Sequence, residues 1–107
     1  MYIQCEKIRM DERKNHANRV KHGVSFELAA EVFNDANRLV ELNRIVYGEK
    51  RLHVTGMAGG SLLILFVAYT ERNTDGEKTI RLISARKAGK KERRRYSSLR
   101  EDPGIQS

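Results

Sequence analysis

"LLILFVAYTERNTDGEKTIRLISA", residues Leu62 to Ala85, decides how this chain folds. Leu62 to Thr70 is apolar on both faces and partly β-branched or aromatic, the composition of a central strand. Asp75-Gly76 lies within "NTDGEK", and that dipeptide favours the positive-φ turn of a tight hairpin. "TIRLISA" is then the return strand. The remaining segments must be arranged around this antiparallel pair.

Upstream, "RLHVTGM" alternates Leu52 and Val54 with Arg51, His53 and Thr55, as a half-buried strand does. "AGGS" is a turn into the central strand, Leu39 to Leu42 is a further short strand, and "YGE" is a turn or loop. Asp11 caps the polar helix "ERKNHANRVK", which ends at Gly23 in a left-handed conformation. Ser25 caps a second helix, with Glu27 in its first turn and Leu28, Ala29, Val32 and Phe33 on a buried stripe. Met1 to Ile8 reads as either a short strand or a loose end. The expected fold is α+β: two N-terminal helices packed on an antiparallel sheet of three to four strands, with a short C-terminal helix. One domain spans residues 1–107, with its core at about 8–97 and a flexible tail at 98–107 that includes Pro103.

Cys5 is the only cysteine among 107 residues, so an internal disulfide and a cysteine-based zinc site are excluded. The start of the chain is charged throughout and has no signal-peptide core. The longest apolar run, Leu62 to Tyr69, falls far short of the roughly 20 residues that span a bilayer. A soluble cytoplasmic protein with no membrane partner is expected. Its net charge of +7 is unevenly spread. "ISARKAGKKERRRY", Ile83 to Tyr96, holds seven basic residues against Glu92 alone, a balance of 7 − 1 = +6. One reading is a solvated basic tail. The other is a phosphate-binding surface, in which a strand fixes the direction of Arg81, Arg86 and Lys87.

"KHGVSFELAAEVF", "VYGEKR", "VAYTER", "IRLISARKA" and "ERRRY", in that order and spacing over roughly residues 8 to 97, closely resemble the BrnT toxins of bacterial type II toxin–antitoxin modules. Met10 departs from the pattern, standing where relatives usually carry a tryptophan, so a smaller core contact is expected there. The resemblance implies a fold similar to the RelE ribonuclease toxins, RNA cleavage with inhibition of translation, and neutralisation by a BrnA-type antitoxin. It implies that this ribbon-helix-helix partner alone brings the complex to operator DNA.

RNA cleavage without a metal or other cofactor needs cations around a phosphate and groups that move protons. Arg81, Arg86 and Lys87 are the candidate phosphate clamp. In a regular strand Arg81 and Lys87 share one face while Arg86 points the other way. An ordinary cross-strand salt bridge is the competing reading for Arg81. Glu71 is a base or orients an arginine, and Glu92 is an orienting partner for Arg86 or a neighbour. His16, His22 and His53 are the histidines; His22 is the candidate proton carrier, against the simpler reading of a favourable charge at a helix C-terminus. His16 and His22, six apart, do not have metal-ligand spacing. Arg72, Lys90, Lys91, Arg93, Arg94 and Tyr96 are candidate RNA contacts, with an anchor for the last helix as the competing reading for Tyr96. The alternative function is a noncatalytic nucleic-acid-binding or regulatory protein using the basic segment. Its helix-turn-helix version is disfavoured because "FELAAEVFND" is acidic and apolar.

Overall fold

The computed structural model describes residues 6–101; Cys5, the Leu99 side chain and the tail from residue 102 lie outside the described residues. The α+β class holds, but the sheet differs from the expectation. It has five strands in the order β1-β5-β4-β3-β2 and is mixed. β1 (Glu6–Arg9) precedes the helices and pairs parallel with β5 (Glu77–Lys87). Four residues are too few to show a periodicity, and their partner lies about 70 positions away, so no local signal marks β1 as a parallel strand.

α1 (Glu12–His22) begins at Asp11, whose carboxylate accepts from the Arg13 and Lys14 amides, and ends at Gly23 with φ 72°. α2 (Phe26–Ala30), capped by Ser25, is only five residues long and tightens into a 3-10 turn over Glu31–Asn34. The N-terminal helical region is thus one full helix and a short turn-and-a-half. β2 (Leu39–Val46) and β3 (Glu49–Ala58) are joined through Tyr47 and Gly48; β4 (Leu63–Thr74) and β5 are joined through Asp75 and Gly76. All four loop residues have positive φ, the geometry of a type I′ hairpin turn. α3 (Lys90–Glu101) closes the described chain.

One sheet face carries Leu52, Val54, Leu65, Val67, Tyr69, Ile80, Leu82 and Ala85. These pack on Val24, Phe26, Ala29, Val32 and Phe33 from the α2 region. Phe33 meets Tyr69 edge to face, with ring centroids 5.0 Å apart. Met10 is 38% exposed and lies outside the buried core.

The strands are not regular. Leu42 pairs with Leu52 and Arg44 with Arg51, leaving Asn43 as an extra residue in β2. Tyr69 pairs with Leu82 and Ala68 with Ser84, leaving Ile83 as an extra residue in β5. Each bulge reverses the parity of the residues beyond it on its strand. Arg86 therefore shares a face with Arg81, and Lys87 lies on the other, the reverse of what unbroken alternation gives.

Candidate nucleic-acid interface

The face opposite the core is built residue by residue from these registers. Arg9 stands beside Arg81, Arg81 beside Thr70, Thr70 beside Arg51, and Arg51 beside Arg44. Four arginines and a threonine thus form one row across all five strands. At about 4.8 Å per strand the row is roughly 19 Å long. Arg9, Arg44 and Arg81 are exposed and Arg51 is half-buried, while Thr70 lies beneath them. The Arg51 Nε–H makes no hydrogen bond within the described residues. Next to this row, Lys7 stands beside Thr79 and Thr79 beside the exposed Arg72. The one carboxylate set among these arginines is Glu49, whose Oε2 lies 4.0 Å from Arg81 Nη1.

The other end of the same face is occupied. Phe66 lies between His53, with ring centroids 4.7 Å apart, and the Arg86 guanidinium, 4.5 Å from its centroid. Arg86 donates to both Glu92 carboxylate oxygens at 2.9 and 2.8 Å and to the Lys87 carbonyl at 3.2 Å. Glu92 also accepts from the Gly89 amide at 2.7 Å, the reach-back half of a capping box. The hydrogen bond from Arg86, reinforced by the Gly89 amide against partial burial, holds the Glu92 carboxyl below its ordinary range. The same bond pushes the Arg86 guanidinium further up. α3 is also fixed by Arg95, which donates to Glu41 at 3.2 Å, and by Tyr96, whose hydroxyl donates to Asp35.

The sequence-derived site residues are therefore divided. Arg81 and Arg86 share a face but lie about 15 Å apart along β5. Arg81 is in the row; Arg86 is committed to Glu92 and Phe66. Arg72 adjoins the row. Lys87 falls on the opposite face. Glu71 also faces the core side, half-buried, with Lys50 and Lys78 at 4.0 and 3.9 Å. His22 is in the last turn of α1, away from the open face, and His16 is exposed on the same helix. Lys90, Lys91, Arg93 and Arg94 are exposed on α3, while Tyr96 is fully buried as that helix's anchor. α2 is too short, and its Phe26 and Ala29 too deeply buried, to serve as a recognition helix.

Arg9, Arg44, Arg51 and Glu49 were not singled out from the sequence. The alternation in "RLHVT" already turns Arg51 away from the core, but nothing local places it beside Arg81 or Arg44. An open hollow by the 3-10 turn is lined by Glu31 and Asp35, a poor match for phosphate. Both carboxylates are engaged, Glu31 with the Gly59 amide and Asp35 with the Met57 amide and Tyr96. Among the described residues there is no cluster of three metal-ligating side chains, and no helix is long and apolar enough to cross a membrane.

Residues 10–92 match the family model described as ribonuclease toxin, BrnT, of type II toxin-antitoxin system. No curated protein matches the chain.

Proposed function

The chain belongs to the BrnT family of ribonuclease toxins of type II toxin–antitoxin systems, and from that premise we propose a metal-independent endoribonuclease whose substrate lies across the open sheet face. Membership implies an RNA substrate and an antitoxin partner. The observation that carries the reading is the row Arg9–Arg81–Thr70–Arg51–Arg44. Adjacent guanidinium groups on a rigid sheet repel one another, a cost that a polyanion removes. Guanidinium also matches the geometry of phosphate oxygens, so a phosphodiester held over Arg81 and Arg51 has its developing charge stabilised. The attacking group is the neighbouring ribose 2′-hydroxyl, which requires no metal. Cleaved messenger RNA arrests translation in the cytoplasm. The partner is a BrnA-like ribbon-helix-helix antitoxin, which covers this cationic face and alone carries the complex to operator DNA.

Incubating the purified protein with RNA in EDTA, with and without ribosomes, tests the reading. Cleavage is expected, and Arg81→Ala and Arg51→Ala should each slow it by about 100-fold, the scale of losing one charge-stabilising donor. RNA left whole under all these conditions defeats it.

A further inference from the structure

The arginine row supplies positive charge but nothing that accepts a proton, and attack by a 2′-hydroxyl requires a base. The register puts three carboxylates and one histidine on the open face: Glu41, Glu49, Glu77 and His53. Glu77 lies at the tip of the β4–β5 hairpin, half-exposed, with Lys7 at 3.4 Å. Glu41 is held by Arg95 against α3. His53 lies against the ring of Phe66, beside Ala68 and one row away from the arginines. Glu49 alone stands with the row. It precedes Arg51 by two residues on one strand, so both project to the same side. Its side chain is 17% exposed, against 55% for Arg81, which reaches across β4 toward it.

The contrast with Glu92 decides what Glu49 is free to do. Glu92 spends both oxygens on a close pairing with Arg86 and Gly89 at 2.7 to 2.9 Å. Glu49 and Arg81 stay 4.0 Å apart, beyond hydrogen-bond length, so the pair is oriented while the carboxylate lone pairs remain open to a donor. A phosphodiester on Arg81 brings its ribose within reach of that carboxylate.

We propose that Glu49 is the general base of the ribonuclease reaction, an assignment that rests on the function proposed above. The Glu49 carboxylate takes the 2′-hydroxyl proton as the 2′-oxygen bonds to phosphorus, and the bond from phosphorus to the 5′-oxygen breaks. Arg81 lies beside the phosphoryl oxygens that gain charge. The leaving 5′-oxygen takes a proton from water, and Glu49 returns its own proton to solvent. The products are a 2′,3′-cyclic phosphate and a 5′-hydroxyl.

The test compares full-length wild type, Glu49→Gln, Glu49→Asp and His53→Ala. Single-turnover cleavage of an RNA oligonucleotide is measured, and binding is measured with the uncleavable 2′-O-methyl form of the same sequence. Glu49→Gln should cut the cleavage rate about 10²- to 10⁴-fold, the range of general acid–base catalysis. Its affinity should stay within about threefold of wild type, because the group acts in the transition state only. Glu49→Asp should recover part of the rate, and a thermal melt confirms that each variant is folded. Glu49→Gln cleaving within about tenfold of wild type overturns the assignment, because that is less than such catalysis contributes. So does a fall in affinity as large as the fall in rate, which would make Glu49 a support for Arg81. The same holds if His53→Ala carries the loss instead. In each of those cases the wild type still cleaves RNA, so the ribonuclease reading survives; a folded wild type that cleaves nothing sinks both.

Discussion

At Ala85 the outer edge of β5 has run past the end of β1 and has no strand to pair with. The Asn18 side chain takes the strand's place: its amide donates to the Ala85 carbonyl at 2.7 Å, and its oxygen accepts from the Ala85 amide at 3.0 Å. The same amide donates to the Val24 carbonyl at 2.8 Å, tying the α1–α2 joint to the sheet. Asn15 does a related job, accepting from the Phe26 amide. Both side chains are buried on an otherwise polar helix, so α1 is attached by hydrogen bonds more than by apolar area. Asn18→Ala should orphan buried backbone groups and cost about 3 kcal/mol. The urea midpoint should fall with no change in the denaturant slope. Asn18→Asp should also destabilise, because a carboxylate cannot donate to either carbonyl.

α3 shows how an almost wholly polar helix is held in place. Tyr96 is the helix's buried apolar group among the described residues, its hydroxyl reaches Asp35, and Glu92 clamps both the helix N-terminus and Arg86. Tyr96→Phe should cost about 1.5 to 3 kcal/mol, the scale of one hydrogen bond to a charged group. Acid should loosen the clamp as well. The folded Glu92 carboxyl sits below its unfolded value because Arg86 binds its charged form. That stabilisation is therefore complete above the unfolded glutamate value of about 4.3 and is lost as pH falls through the lower folded value. Stability compared between pH 6 and pH 3 should fall less steeply in Glu92→Gln than in wild type, and the variant should already be weaker at pH 6. Equal slopes would remove Glu92 from the acid response.

Across the whole molecule, two bulges decide which cations share one face: that at Asn43 brings Arg44 onto it, and that at Ile83 exchanges Lys87 for Arg86. If Asn43 took a regular place in the ladder, Arg44 would turn toward the core side; if Ile83 did, Arg86 would. Four row arginines each neutralising a phosphate of single-stranded RNA predict a salt slope of about −2.8, from −0.7 per contact. Each of Arg9→Ala, Arg44→Ala, Arg51→Ala and Arg81→Ala should make that slope shallower by about 0.7. Lys87→Ala, on the opposite face, should leave it unchanged. Titrations of the uncleavable 2′-O-methyl RNA over a range of salt concentrations read this directly. A shallower slope for Lys87→Ala with none for Arg51→Ala would mean that the basic α3 end, and not the row, holds the RNA.

Local chemistry alone determined the helix caps at Asp11, Gly23 and Ser25, the Asp75-Gly76 turn, the β4–β5 hairpin and the outward direction of Arg51, because each depends on residues a few positions apart. It also made Glu92 an orienting partner for Arg86 or a neighbouring arginine, and the structure selects Arg86. Only the tertiary structure decided that β1 runs parallel to β5, that Asn43 and Ile83 interrupt their strands, and that Arg9, Arg81, Arg51 and Arg44 stand in line. Those outcomes depend on pairings between distant segments, where a slip of one residue reverses every side chain and nothing in the neighbouring sequence records it. The densest run of positive charge was therefore easy to see, while the arginine row across the sheet was assembled from strands distant in the chain.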